Sequence, residues 1–317
     1  MNGETTTALP LIHNFALVHE RVETAVASNG KPRAALVVPH EAAMATPFRK
    51  AVESGLIEPF VIGDEALFRK DADLHGIDPD KVHLVDINQP DKAVLTAAQM
   101  AAQGELDLIV AGRINNEELL TGLAAKESRF LDKGRLLTHI AVMKPERYEK
   151  LLFLTDALVT TKHDLATMIS VTNNAISVAV KLGVERPRVA LLAAVEVVYP
   201  QMEATTIAAV LSKMNERGQI KGADVDGPLS FDVAIDMEAA LGKGVTSSAV
   251  AGKADVLVAP SIEAANGMYK AMALYGSSEA GGVFFGGRVP VALSLACDSE
   301  ENGFRSLLIG ILAAQPA

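Results

Sequence analysis

From residue 33 onwards, short apolar runs alternate with longer segments in which apolar residues recur every three or four positions. Runs of about four to eight apolar residues between turn signals are typical of buried strands, and the longer period is typical of helices. In residues 33–112 the pattern predicts four strands, RAALVV (33–38), PFVIGD (59–64), HLVDI (83–87) and LDLIVAG (106–112).

Capping signals predict two helices within this first series. Thr46 is predicted to cap ATPFRKAVESG, with Pro47 at the first helical position and Gly55 as the stop. Asn115 with Glu118 three residues later resembles a capping box that opens EELLTGLAAK.

A second series starts near residue 150. Its predicted strands are KLLFLTDA (150–157), PRVALLAAV (187–195), GADVDGP (222–228), ADVLVAP (254–260), GGVFFGG (281–287) and VPVALSL (289–295). Its predicted helices are residues 163–183, 204–218 and 299–314. Such alternation indicates βαβ units and parallel sheets, and the number of elements favours two α/β domains.

Ligands of open α/β sheets bind outside the carboxyl ends of the strands, so the residues after each strand have priority as site candidates. These residues are Gly112, Arg113, Thr155, Asp156, Asp226, Gly227, Pro228, Pro260 and the loop around Cys297.

Charge and composition narrow the classes of partner. The formal net charge is −10 and the 29 Lys and Arg residues form no dense run, which argues against nucleic acid but allows a small anion in a local positive pocket. The single cysteine cannot form an internal disulfide, so we expect a cytoplasmic protein. We also expect no secretory signal and no membrane span.

Several familiar catalytic motifs do not occur in the sequence. We find no Walker A sequence, no G-x-G-x-x-G between a strand and a helix, no H-E-x-x-H and no G-x-S-x-G. FFGGR (284–288) lies between two predicted strands, so we predict a hairpin there rather than a phosphate-binding loop.

The segment DKGRLLTHIAV (132–142) offers a candidate anion site. Lys133 and Arg135 could supply charge, and Thr138 and His139 could supply hydrogen bonds. The alternative is an exposed basic turn that leads into a strand with a hydrogen-bonded histidine.

Two further segments carry candidate polar groups. Asp226, just after a predicted strand, and Asp232 could move protons or bind a metal, or they could form a turn and a helix cap. Ser247 and Ser248 precede a glycine-containing loop, and Glu263 and Asn266 open a helix. This arrangement could hold a phosphate or could be ordinary capping.

Taken in order, GLIEPFVIGD, GRLLTHIAV, LLFLTDA, VDGPLSFDVAI, SSAVAGKADVLVAPSIEAANGMYKAM and GRVPVALS resemble the phosphate acetyltransferase and phosphate butyryltransferase family from about residue 33 to the end. The resemblance implies two doubly wound α/β/α domains of the isocitrate/isopropylmalate-dehydrogenase-like type with a cleft between them. Residues 1–150 and 290–317 would form the first domain, with 1–30 as an extra N-terminal segment, and 151–289 the second, inserted one.

The resemblance also implies an activity. Family members transfer an acyl group between coenzyme A and inorganic phosphate, without a metal or a covalent enzyme intermediate, and usually as homodimers. The expected ligands are acyl-CoA, CoA and phosphate or acyl phosphate, with coenzyme A as a substrate and no cofactor.

The family's Ser-Arg pair after the last strand falls on Leu295 and Ala296, and a shift of one residue restores Ser294 but not the arginine. The helix position of the family's aspartate base is Asn302, and Glu301 is the nearest carboxylate, which we expect to form a capping box with Asp298. Replacement positive charge would come from Arg113, Lys133 or Arg135, with Thr138 and His139 beside them.

Three hypotheses follow. The first is a phosphate acyltransferase for acetyl or short, butyryl-like acyl groups. The alternative is a divergent member that binds CoA or acyl-CoA with weak or no transferase activity. The third is a metal-dependent dehydrogenase on the same fold, which needs a second carboxylate near Asp226 or Asp232. We expect Cys297 to be a loop or core residue rather than a nucleophile.

Overall fold

The computed structural model describes residues 12–40 and 42–316, without the side chains of residues 73 and 74. Its helices are α1 (Phe15–Asn29), α2 (Ala45–Glu53), α3 (Glu65–Lys70), α4 (Ala72–His75), α5 (Pro90–Ala102), α6 (Asn116–Ala124), α7 (Leu165–Lys181), α8 (Glu203–Glu216), α9 (Phe231–Ile235), α10 (Met237–Gly242), α11 (Ile262–Leu274) and α12 (Glu300–Ala314). Two short 3₁₀ helices cover Pro79–Lys81 and Lys126–Ser128.

The strands are β1 (Arg33–Val37), β2 (Glu58–Gly63), β3 (His83–Asp86), β4 (Leu108–Ala111), β5 (Thr138–Lys144), β6 (Leu152–Thr155), β7 (Arg188–Leu192), β8 (Asp224–Leu229), β9 (Val256–Val258), β10 (Glu279–Phe285) and β11 (Val291–Leu293). Within the described residues they form one sheet in the order β3-β2-β1-β4-β11-β10-β5-β6-β9-β7-β8.

The direction of the strands reverses inside this sheet. β10 is antiparallel to both of its neighbours, β11 and β5, and β5 is antiparallel to β6. β1 to β4, β11 and β5 therefore end at one edge, which we call the upper edge. β6 to β9 and β10 end at the opposite, lower edge.

Helices cover both faces of the sheet, which confirms the predicted α/β class. One continuous apolar cluster fills the back face, where side chains of α1, α2, α7, α8 and α12 pack on alternate strand residues. The front face carries two clusters, one under α5 and α6 and one under α9, α10 and α11. Leu158 and Leu295 pack against both front clusters, so they mark the junction of the two halves.

Most predicted elements are confirmed, including the helix capped by Asn115 and the hairpin between β10 and β11. Two details were wrong. α2 begins at Ala45 with Met44 as its N-cap, so Thr46 is already helical. Asp226 lies inside β8, which continues to Leu229.

The two-domain boundaries remain a prediction. β11 pairs with β4, and α12 packs on α1 and α2, so these C-terminal elements lie beside the N-terminal half of the sheet. Residues 1–11 of the predicted N-terminal extension lie outside the described residues, and residues 15–29 form α1, whose Phe15, Val18 and Val22 are buried.

Candidate functional site

The upper edge carries a pocket at the ends of β1, β2, β3 and β4. Helices after β1 and β4 lie on opposite faces, since α2 packs in the back cluster and α6 in the front cluster. Such a switch between neighbouring strands opens a crevice at their carboxyl ends. The pocket has a volume of about 220 Å³ and is lined by Val38, Pro39, His40, Gly63, Asp64, Leu67, Ile87, Asn88, Pro90 and Arg113.

The chain around this pocket is held by close backbone contacts. The N–H groups of Gly112 and Arg113 donate to the carbonyls of Val37 and Val38, both at 2.8 Å. A Cβ atom on Gly112 would lie 2.1 Å from the carbonyl oxygen of Val38, so only glycine fits. Val38 has φ 55°, which is rare for a β-branched residue, and such strain concentrates at functional sites.

Arg113 borders a second cavity of about 420 Å³, which Ala43, Gly112, Ile114, Asn115 and Glu118 also line. The Arg113 side chain is exposed. Among the three predicted cations, Arg113, Lys133 and Arg135, only Arg113 follows a strand that ends at the upper edge, namely β4. The neighbouring strand β11 leads to Ser294.

The loop after β11 turns sharply at the junction of the two front clusters. The Asp298 N–H donates to the Leu295 carbonyl at 2.9 Å, and the Leu295 N–H donates to Asp298 Oδ2 at 2.7 Å. Asp298 Oδ1 accepts the hydroxyl proton of buried Tyr269 on α11 at 2.5 Å. The Asp298 carboxylate therefore connects this loop to the second half of the sheet.

Burial sets the acid–base character of this loop. It raises the pKa of Asp298, although the bonds from Tyr269 and from the Leu295 N–H act in the opposite direction. It also raises the pKa of Tyr269, with Asp298 adding to the effect. Burial and then the charge of Asp298 raise the pKa of Cys297, so its thiol stays protonated, as the core-or-loop interpretation requires.

The predicted catalytic residues of this segment have different environments. Ser294 is half-buried at the end of β11, and its Oγ lies 3.5 Å from the Leu295 carbonyl oxygen. Asn302 is buried, and its Oδ1 accepts from the Ala280 N–H at 3.1 Å and from Arg305 Nη1 at 2.7 Å. Glu301 is exposed on the first turn of α12.

The expected capping box of Asp298 and Glu301 was wrong. Ser299 is the N-cap of α12, and its side chain accepts from the Asn302 N–H at 3.2 Å. The carboxylate of Asp298 bonds to Tyr269 and Leu295 instead, because the turn places it one residue before the N-cap.

Lys133 and Arg135 lie at the other edge of the sheet from Arg113, because they precede β5, which runs parallel to β4 and β11. Both are exposed, on the turn closed by the Arg135 N–H bond to the Asp132 carbonyl at 3.0 Å.

Thr138 and His139 start β5 in the interior of the sheet. Thr138 accepts from Asn174 Nδ2 at 3.1 Å, and His139 is 1% exposed. Burial lowers the pKa of His139 to about 3, so the ring is neutral, and its Nδ1 has no hydrogen-bond partner within the described part of the chain. A ligand in solvent cannot reach either side chain.

The lower edge carries a charged network that sequence reasoning found only in part. Ser230 Oγ donates to Asp232 Oδ1 at 2.6 Å and also contacts Glu196 Oε1. Lys243 Nζ lies 3.1 Å from Glu196, 2.9 Å from Ser230 and 3.4 Å from Asp232. Glu196 follows β7 and Ser230 follows β8, and they meet because these two strands are neighbours in the sheet. The sequence does not show that β7 and β8 pair.

Asp226 is separate from this network, and its Oδ1 accepts from the Gly227 N–H at 2.8 Å. Among the described residues, no group of three or more His, Cys, Asp or Glu side chains is placed to hold a metal ion. Lys243 supplies the positive charge between Glu196 and Asp232.

The remaining candidates make local hydrogen bonds. Ser248 Oγ accepts from the N–H groups of Val250 and Ala251, both at 3.0 Å, while Ser247 is exposed. Glu263 lies in the first turn of α11, which Ser261 caps, and Asn266 donates to the Ala157 carbonyl at 3.0 Å.

Upper-edge residues that the sequence analysis missed include His40, Asp64, Asn88 and Tyr269, whereas Asp298 was named there only as a helix cap. His40 and Asn88 each follow a strand within three residues, so the strand-end rule could have found both. Separately, no helix in the described part of the chain is long and apolar enough to cross a membrane.

Comparison with known proteins gives consistent matches. A family model described as phosphate acetyl/butaryl transferase matches residues 88–308. The phosphate butyryltransferase of Clostridium acetobutylicum is 37% identical over 289 residues, which is 91% of this chain and 95% of that relative. The phosphate acetyltransferase of Rhizobium meliloti is 37% identical over 265 residues, 84% of this chain and 83% of the relative.

Among solved structures, a branched-chain phosphotransacylase from Enterococcus faecalis V583 is similar with a TM-score of 0.76 and 27% identity, and the match covers 89% of this chain and 99% of that one. A phosphotransacetylase from Streptococcus pyogenes shares the fold with a TM-score of 0.77, covering 95% of this chain and 99% of that one at 17% identity.

Proposed function

Because the chain belongs to the phosphate acetyl/butyryltransferase family and is a phosphate acyltransferase, we propose that it transfers a short acyl group between coenzyme A and inorganic phosphate. The observation that carries the proposal is the 37% identity to a phosphate butyryltransferase over 91% of this chain and 95% of the relative.

The acyl group in this proposal is butyryl-sized or branched. A butyryltransferase and a branched-chain phosphotransacylase are among the relatives that cover most of the chain. The apolar side chain of Leu295, half-buried against both front clusters, suits a hydrocarbon group better than it suits a charged one.

The proposed reaction uses the loop after β11. In the direction of thioester formation, the coenzyme A thiol gives its proton to a carboxylate, its sulfur attacks the carbonyl of the acyl phosphate, and phosphate leaves. Asp298 is the proposed proton acceptor, since a burial-raised pKa brings a carboxylate closer to the working pH.

Two further residues have proposed roles in this reaction. Ser294, next to this loop, is the proposed hydrogen-bond donor to the developing oxyanion. Arg113 on the neighbouring strand end is the proposed partner of the leaving phosphate, because a guanidinium can bind phosphate through two parallel hydrogen bonds.

The proposal assigns no direct contact with substrate to Asn302, Thr138 or His139, since their side chains are buried. Lys133, Arg135, Asp226, Ser247, Ser248, Glu263 and Asn266 likewise have no role in the proposed reaction. We further propose that the protein is a cytoplasmic homodimer that needs no cofactor. Light scattering of the purified protein would test the dimer, and an activity assay with a chelator would test the need for a metal ion.

The decisive experiment mixes purified protein with coenzyme A and either acetyl phosphate or butyryl phosphate and follows the thioester. We expect turnover that is faster with butyryl phosphate, and loss of most of it in Asp298→Asn with the fold intact by circular dichroism. Absence of turnover with both acyl phosphates, together with a coenzyme A-dependent rise in melting temperature, would instead identify a binding protein that has lost the chemistry.

A further inference from the structure

A cavity of about 610 Å³ lies on the back face, between α1, the end of α7 and the end of α12. All three helices pack in the back cluster, whereas Leu295 and Cys297 of the proposed reaction loop pack in the front clusters. The cavity is therefore separate from the proposed reaction site. Its volume lies within the roughly 300–1,000 Å³ of sites that enclose a whole small molecule.

The wall of this cavity is largely apolar. Its surface includes the side chains of Ile12, Leu17, Ala25, Val180, Leu312 and Pro316. Ile12 and Leu312 are each 3% exposed, while Val180 is 43% exposed. The wall therefore extends from the buried back cluster to the protein surface, which suits a ligand with an apolar body.

Lys181 brings a positive charge to this wall. Its Nζ donates to the carbonyl oxygen of Gln315 at 2.6 Å, and burial lowers the pKa of this half-buried lysine. Within residues 12–40 and 42–316, no carboxylate lies within ion-pair distance of Lys181. An ammonium group has three N–H donors, so the Gln315 carbonyl leaves two of them for a ligand.

Arg21 of α1 approaches the same end of α7. A Cβ atom on Gly183 would lie 1.6 Å from Arg21 Nη1, so the glycine makes room for the guanidinium two residues after Lys181. Burial lowers the pKa of Arg21 as well. Among the described residues that line the cavity, Glu20 alone carries a carboxylate, and it is exposed. The cavity therefore has an excess of positive charge in a chain whose net charge is −10.

We propose that this cavity binds an aliphatic carboxylate, a fatty acid of medium chain length. Lys181 holds the carboxylate, Arg21 adds positive charge, and the hydrocarbon chain lies along Leu17, Val180 and Leu312. A polyanion such as a nucleotide would place charge against these apolar side chains, which is unfavourable. The inference goes beyond the proposed function, because it concerns a second site on the opposite face of the sheet.

The test titrates decanoate into the full-length protein by isothermal titration calorimetry, beside decanol, which has the same chain without the charge. We expect decanoate to bind at least about tenfold more tightly than decanol. Lys181→Met removes the ammonium group and keeps an unbranched side chain. It should weaken the binding of decanoate roughly tenfold to a hundredfold, as loss of a charge-assisted hydrogen bond does, and leave the binding of decanol unchanged.

Val180→Asp is a second variant, at an exposed wall position where a polar side chain is compatible with folding, and it should weaken the binding of both ligands. Lys92→Met, on an exposed lysine of α5 on the front face, is the matched control and should change neither affinity. Absence of decanoate binding to the wild-type protein, or an equal loss of decanoate and decanol in Lys181→Met, would overturn the inference. An unchanged affinity for decanoate in Val180→Asp would also overturn it.

A competition experiment separates this cavity from the proposed reaction site. In phosphate-free buffer, decanoate should bind with the same affinity whether or not the protein is saturated with butyryl-CoA. Displacement of decanoate by butyryl-CoA would place the fatty acid at the reaction site and refute the back-face cavity. Because these measurements need no turnover, they test the cavity even if the protein transfers no acyl group.

Discussion

The two edges of the sheet collect similar residue types and use them differently. At the lower edge, Glu196, Ser230, Asp232 and Lys243 bond to one another, and Asp156 accepts from the N–H groups of Leu158 and Val159 at 2.9 and 3.0 Å. At the upper edge, polar side chains surround a pocket and an open cavity. The upper edge therefore combines polar groups with space for a ligand, whereas the four network residues of the lower edge are occupied with one another.

The two edges exist because strand direction reverses at β10 and again between β5 and β6. Consequently, a residue that follows β1 to β4 and a residue that follows β6 to β9 lie at opposite edges of the sheet, separated by the length of a strand. In the proposed reaction the upper edge carries the substrate chemistry and the lower edge supports the fold, and variants at the two edges distinguish these roles.

The largest effect is expected from glycine substitutions at the two edges. A Cβ atom in Gly112→Ala would lie 2.1 Å from the Val38 carbonyl oxygen, and one in Gly227→Ala would lie 2.6 Å from the Leu191 carbonyl oxygen. Backbone must move in both, so we expect each to cost about 3 kcal/mol or more of unfolding free energy, measured by urea denaturation.

The glycine pair also separates the two edges by function. Folded Gly112→Ala should bind coenzyme A more weakly, while folded Gly227→Ala should keep the wild-type affinity. Equal loss of affinity in the two variants would contradict the division.

The next effect concerns Leu295 and Ala296. The double variant Leu295→Ser with Ala296→Arg introduces the serine and arginine of the family pattern. A charge-assisted bond to phosphate contributes about 1.5–3 kcal/mol, so we expect the KM for acyl phosphate to fall roughly tenfold to a hundredfold.

Leu295→Ser alone is the control for this change. It should lose stability, because Leu295 packs on both front clusters, without the gain in affinity. An unaltered KM in the double variant would show that this loop does not hold the phosphate.

A smaller effect follows from removing one hydroxyl group at the junction. Burial raises the pKa of Asp298, so the folded chain binds this proton more tightly than the unfolded chain does. Stability therefore falls as pH rises from about the ordinary value of 3.8 to the folded pKa, and is constant above it. Tyr269→Phe removes a donor that lowers this pKa, so the pKa of Asp298 should rise further.

We expect two consequences of Tyr269→Phe. Unfolding free energy at neutral pH should fall by about 1–3 kcal/mol, and the acid limb of the kcat/KM profile should move to higher pH. Tyr275→Phe is the control, since Tyr275 is 90% exposed. An acid limb that stays in place would argue against Asp298 as the proton acceptor.

The smallest effect compares one carboxylate from each half. Burial acts to raise the pKa of both groups. At Asp107 the hydrogen bonds and charge of Arg33 outweigh burial, so the pKa is lowered. At Glu196 the hydrogen bonds from Ser230 and Lys243 and the charge of Lys243 do the same. The stability these groups contribute is present above their ordinary pKa values and is lost as pH falls through the lower folded values.

Asp107→Asn and Glu196→Gln should therefore each reduce stability at pH 7 by about 1 kcal/mol or less, and flatten the acid side of the stability curve below about pH 4. Denaturation at several pH values measures this. Neither variant should change the KM for coenzyme A. A higher KM for coenzyme A in Glu196→Gln would show that residues of the lower edge take part in substrate binding.

The sequence predicted the elements well because their signals are local. Apolar run length identified β4 and β9, and Asn115 with Glu118 identified the start of α6. The end of β8 was missed because Asp226-Gly227-Pro228 is typical of a turn, whereas here it pairs with β7 through Asp226 and Leu229.

The site was predicted less completely because its residues depend on strand pairing. The position of β10 between β11 and β5 decides that Arg113 and Arg135 lie at opposite edges, and nothing near either residue encodes it. Likewise, Asp298 was expected to cap α12, and only the approach of Tyr269 from α11 shows why its carboxylate turns the other way.

The placement of β10 and β11 has a consequence for synthesis on the ribosome. β4 and β5 are made early, yet the two strands that lie between them span Glu279–Leu293. Until those residues leave the exit tunnel, the nascent chain carries two unpaired strand edges, a form that invites association with other chains. The enzyme can close its sheet only after residues 279–293 have emerged, which makes the interval before their emergence the one in which a chaperone would matter most.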